Sequence, residues 1–218
     1  TGADDDGLDT DTGWRGGAQF GIVTQRSSFP TSRSAGFEFS AAPTTTAYAS
    51  RYLSQPKIAN FTVVGRNSPN DTHTVAHFDT GTDATVINSV FSAATGSLAG
   101  CLAIADADTG TSGVTFTSVF MSCPVSYRTA NATLSTAAFT GGTNNLIGTS
   151  TMTAPAGATL TNQVLTFING ANETARPAVN AATVYSYFTT TTYIGAVQNA
   201  ADTWYTGWTC GLATGSNC

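Results

Sequence analysis

The sequence predicts an all-β chain wound as a parallel solenoid, and three observations carry that prediction. Short β-branched and aromatic runs recur between Gly/Asp/Thr/Ser turns. Helical periodicity is nearly absent before about residue 175. The runs also return at a nearly constant spacing: Val75 to Leu102, Asp79 to Asp106 and Val63 to Val90 are each 27 residues apart, and Val90 to Val119 is 29. A period in the twenties with two strands per repeat is the mark of stacked coils. An antiparallel sandwich also spaces its strands regularly. The constant period, and turns too long for two-residue hairpins yet lacking crossover helices, favour the solenoid.

In chain order the runs form two alternating series. One contains Leu8–Asp11, Gly36–Phe39, Thr74–Phe78 and Cys101–Ala105; the other contains Gln19–Val23, Asn60–Val64, Ile87–Phe91 and Phe116–Phe120. The step from Ile22 to Val63 is 41 residues, and an insertion rich in Pro, Ser, Thr and Ala accounts for the excess. The expected division is therefore 1–123 for the coils, with the insertion at about 28–56, and 124–218 for a C-terminal loop and capping region. Within that region 129–165 reads as loops and short strands over the coils. Val164–Ile168 before Asn169-Gly170 reads as a strand and turn, and Pro177–Phe188 offers a helical face. The aromatic tail around Trp204, Tyr205 and Trp208 reads as a cap on the last coil.

Composition narrows the function classes. Charged residues are 10% of the chain, against roughly 25% in an average soluble domain, and the net charge is −5. An acidic chain whose basic residues are Lys57 and seven scattered arginines is a poor partner for nucleic acid. No run approaches the roughly 18 apolar residues of a membrane span. The four cysteines form no CxxC pair, which argues against zinc or thioredoxin-like chemistry. Their even number predicts two local disulfides, Cys101–Cys123 and Cys210–Cys218, and a secreted or cell-surface setting. The opening residues carry no signal peptide, so the expectation is a mature product or an excised piece.

Two longer segments add a resemblance. Ala3–Gly13 (ADDDGLDTDTG) with Gln19–Arg26 (QFGIVTQR) resembles the middle of a family of uncharacterised bacterial secreted proteins, themselves similar to right-handed parallel β-helix proteins. Phe167–Thr174 and Tyr193–Cys210 resemble that family's C-terminal segments. The resemblance implies a right-handed parallel β-helix with an irregular, partly helical C-terminal cap, and a secreted or outer-membrane-associated life. It carries across no catalytic residue. The coils that precede the DDDGLD segment in the family are missing here. A stack cut at that point exposes strand edges that invite pairing. Thr1–Val23 is therefore expected to pack against a second copy, the N-terminal remainder of a longer precursor, or a rearranged local segment.

Candidate chemistry centres on acidic residues. Asp4, Asp5, Asp6, Asp9 and Asp11 suit an oxygen-rich Ca2+ loop, although no bidentate Glu lies at the EF-hand offset. The competing reading is a polar turn and a strand with outward acidic positions. Asp79 and Asp106, one above the other in successive coils, suit a metal or the paired acids of a glycoside hydrolase; Asp83 and Asp108 flank them. Asp-Thr-Gly is also an ordinary turn sequence. His73 and His77 read as strand residues about 13 Å apart rather than as a metal pair. Asn60 and Asn88 suggest a stacked amide ladder, and Trp14, Tyr48, Tyr52 and Trp204 could stack on sugars. The expected function is a non-enzymatic structural, adhesive or self-assembling surface protein. The alternative is a protein that binds or cleaves polysaccharide in its outer groove.

Overall fold

The computed structural model describes residues 5–26, 35–41, 53–66, 74–93, 100–105, 113–160, 163–207 and 209–212. Ten strands come first: β1 (Leu8–Thr10), β2 (Gly17–Thr24), β3 (Ala35–Phe39), β4 (Lys57–Gly65), β5 (Thr74–Phe78), β6 (Thr85–Ile87), β7 (Val90–Ala93), β8 (Gly100–Ile104), β9 (Thr115–Thr117) and β10 (Phe120–Ser122). Helix α1 (Ala132–Gly141), strand β11 (Leu146–Ile147) and the single turn α2 (Ala171–Thr174) follow. One sheet has four strands in the order β1-β3-β5-β8. The other has seven, in the order β11-β10-β7-β4-β6-β9 with β2 also on β4. Every strand pair is parallel.

The two series of apolar runs occupy the two sheets, and the chain passes from one sheet to the other between them. The register is not the one expected. Val63 pairs with Phe91 rather than Val90, and Leu102 with Ala76 rather than Val75. A shift of one residue exchanges the faces of a strand. In β3, Phe37 and Phe39 point into the core and Glu38 points away. In the second sheet each apolar run contains one residue in the left-handed region, which β2 and β4 accommodate within a continuous strand. Phe20, Asn60, Asn88 and Ser118 all have positive φ, at 64°, 53°, 47° and 56°. These corners turn the chain, and they explain why Ile87–Phe91 and Phe116–Phe120 are each two short strands.

The expected fold class is corrected by these findings. The molecule is a mixed α/β chain built on two all-parallel sheets of unequal size, not an all-β right-handed parallel β-helix of fixed period. Paired strands are offset by 26 residues between β5 and β8, 28 between β4 and β7, 30 between β7 and β10, and 39 between β3 and β5. Turns of different length absorb the differences, so no single repeat governs the chain. Residues 132–141, expected as loop, form α1, with Ser135 and Phe139 buried. The tail is not a lid on the last strands either. Phe167, Ile168, Val197 and Tyr205 pack with Val64 on the outer face of the seven-stranded sheet. Nor do Pro177–Phe188 form a helix: only Ala181–Thr183 make a 3-10 turn, because Asn88 grips the backbone of Val179 and holds the entry extended.

Between the sheets lies an aromatic core. Phe37 stacks on Phe39 at 5.0 Å, Phe39 meets Phe78 at 5.3 Å, Phe78 meets Phe116 at 5.8 Å, and Phe116 meets Phe139 at 5.9 Å. Offset and edge-on rings at these separations add to the burial of their area. Phe139 brings α1 over the β8 and β9 end of that core.

Candidate functional site

Among the described residues, the densest group of titratable side chains lies at the β1 edge of the four-stranded sheet. Gly7 N–H donates to Ala35 O at 3.0 Å and Asp6 Oδ1 accepts from Ala35 N–H at 2.5 Å, so the turn before β1 is fastened to the start of β3. From there the register sets Asp9 beside Glu38, Glu38 beside His77, and His77 beside Ala103. Parallel strands lie about 4.8 Å apart, so Asp9, Glu38 and His77 form one row across three strands.

The electrostatics follow from that row. The Glu38 carboxyl is pushed up to about 8, first by its hydrogen bond with Asp6, then by burial, then by the charges of Asp6, Asp9 and Asp5. At neutral pH the Glu38 carboxyl therefore keeps its proton, which it donates in the hydrogen bond with Asp6. Asp9 is also raised, by burial and then by Asp6, Asp11 and Asp5. These shifts mark an accumulation of negative charge at the β1 edge.

The predicted metal ligands divide. Asp4 lies outside the described residues. Asp5, Asp6, Asp9 and Asp11 share the β1 end, but two of them already serve the backbone. Asp6 holds Ala35 N–H, and Asp11 Oδ1 accepts from Thr12 N–H at 2.7 Å in a turn. Among the described residues no group of three or more His, Cys, Asp or Glu side chains is arranged to hold a metal ion. Asp79 and Asp83 serve the backbone: Asp79 Oδ1 accepts from Thr80 N–H at 2.6 Å within a turn, and Asp83 Oδ1 accepts from Gly113 N–H at 3.0 Å, joining segments 30 residues apart. Asp106, Asp108 and His73 lie outside the described residues.

Cys101 and Cys123 form a disulfide with 5.6 Å between their Cα atoms, joining β8 to the residue after β10. Cys210 is disulfide-bonded too, and its expected partner Cys218 lies outside the described residues. Asn60 and Asn88 occupy equivalent corners, but their amides do not stack as a ladder. Asn60 Nδ2 donates to Thr191 Oγ1 and to Tyr193 O, at 3.0 and 2.9 Å. Asn88 donates to Val179 O at 2.8 Å and accepts from Val179 N–H at 2.9 Å. They bind the C-terminal region to the sheet. Trp204 Nε1 donates to Ala196 O, a packing role, whereas Trp14 is 36% exposed beside the β1–β2 turn. Tyr48 and Tyr52 lie outside the described residues.

Glu38 is the residue that sequence reasoning missed. Its signal was present as a lone carboxylate between Phe37 and Phe39 in a strand, where alternation directs it outward. Comparison of the chain with protein-family models, with curated proteins and with solved structures finds no match. No helix among the described residues is long and apolar enough to cross a membrane.

Proposed function

We propose that the protein is a non-catalytic, secreted or cell-surface structural component that assembles with copies of itself by adding strands at the β1 and β2 edge. The observation that carries this reading is the asymmetry of the two ends of the sheets. At one end α1 covers the core, with Phe139 and Ser135 buried beneath it. At the other, β1 pairs on one side with β3 and β2 on one side with β4, and their outer sides pair with no strand among the described residues. Unsatisfied edge N–H and C=O groups are templates for a further strand. Cross-links such as Cys101–Cys123 suit an oxidising compartment, and so support placement outside the cytoplasm.

Hydrogen exchange across a concentration series, read with light scattering, tests the proposal. Mass is expected to grow with concentration, with amides of Gly17–Thr24 gaining protection while those of β4 stay constant. A single monomeric mass with unchanged exchange in β2 at every concentration would overturn it.

A further inference from the structure

Resting on that reading, we infer that the surface received by the β1–β2 edge is the opposite end of a second copy, so that chains join head to tail with Arg128 of one beside Asp9 of the next. The far end of the four-stranded sheet is made by the segment after β10. Cys101 N–H donates to Val125 O and Leu102 N–H to Ser126 O, at 2.8 and 3.1 Å, while Arg128 N–H donates to Leu102 O at 3.0 Å. Tyr127 pairs in parallel with Leu102 and packs into the core. The next residue, Arg128, thus closes the side of the sheet on which Asp9, Glu38 and His77 open it.

Three observations favour this end as the partner. The first is charge: one end carries Asp5, Asp6, Asp9 and Asp11, and the other a half-exposed arginine, which is complementarity across a translation. Two acidic ends brought face to face would instead repel. The second is apolar exposure. Val125, Leu146 and Ile147 are 40%, 38% and 43% exposed at the far end, and Leu146–Ile147 are β11, the terminal strand of the seven-stranded sheet. The third is direction: all strands are parallel, so adding β1 and β2 of the next copy beyond 125–128 and β11 extends both sheets without reversing a strand. Between those two edges the exposed residues of α1 are Thr133, Ala137, Thr140 and Gly141, small residues that permit close approach. A head-to-tail contact of this kind does not close on itself and gives an open series of sizes.

Sedimentation velocity on Arg128→Glu, Asp9→Lys and their equimolar mixture tests the inference. Each variant alone is expected to associate about tenfold more weakly than the parent, since like charges then meet at the junction. The mixture is expected to recover, because both junctions of an alternating polymer pair opposite charges; recovery also shows that the variants are folded. If the parent assembles with β2 protected but neither variant weakens it, or both weaken it and mixing restores nothing, the head-to-tail contact is wrong while strand addition stands. A parent that never assembles removes both.

Discussion

Asn88 holds a conformation and a contact together, and the two can be separated. Its φ of 47° lies in the left-handed region, which most side chains avoid at a cost of about 1–2 kcal/mol, and its amide satisfies both backbone groups of Val179. Asn88→Ala loses both, and should lower unfolding free energy by about 3 kcal/mol in urea titrations. Asn88→Gly keeps the backbone freedom and should recover about 1 kcal/mol of that loss. Glu38 makes a different prediction at the same scale. Its folded-state value of about 8 lies above that of an unfolded glutamate, so its contribution to stability is complete below about pH 4.5 and is lost as pH rises through about 8. Glu38→Gln should therefore be the more stable protein at pH 9, by on the order of 1 kcal/mol after solvent screening of a half-exposed group, and should show no advantage at pH 4.5. Denaturant midpoints at the two pH values check the sign.

At the scale of elements, close approach between layers leaves little room for change. A Cβ at Gly36 in β3 would lie 2.1 Å from Val63 Cγ1 and 2.7 Å from Val75 O, so Gly36→Ala should destabilise by about 1–3 kcal/mol, read as a lower urea midpoint. Strands were legible because β-branched and aromatic runs mark them, and in Phe37-Glu38-Phe39 alternation states which residues are buried. Register was not, because it depends on turns, and a common spacing between valines cannot distinguish a pair from its neighbour one residue away. Helix α1 escaped notice for a related reason. Its sequence, Ala132–Gly141, is alanine and threonine with Leu134 and Phe139 as its only large apolar residues, so the core it covers, rather than its own periodicity, makes it a helix. Among the site residues, the aspartates before and within β1 could be read as a cluster, but the Glu38 that completes it comes from a strand 29 residues further on.

For the whole molecule, the ends matter more than the middle. Both faces of β4 are covered, one by the aromatic core and the other by the C-terminal region, and its residues from Ile58 to Gly65 are buried. The last layer is thinner, with a three-residue β10 and a two-residue β11, and there the Cys101–Cys123 bridge ties the four-stranded sheet to the seven-stranded one. Its two cysteines are separated by 22 residues, and a loop of that size removes chain entropy from the unfolded state worth roughly 3 kcal/mol. For a domain of this length each kcal/mol moves the melting temperature by about 2–4 °C, so Cys101→Ala with Cys123→Ala should melt about 6–12 °C lower by calorimetry. The loss should also be local before it is global. Hydrogen exchange in β8 and β10 should rise well below the melting transition while β4, enclosed on both faces, remains protected. Equal acceleration in β4 would mean that the bridge supports the whole stack rather than its last layer.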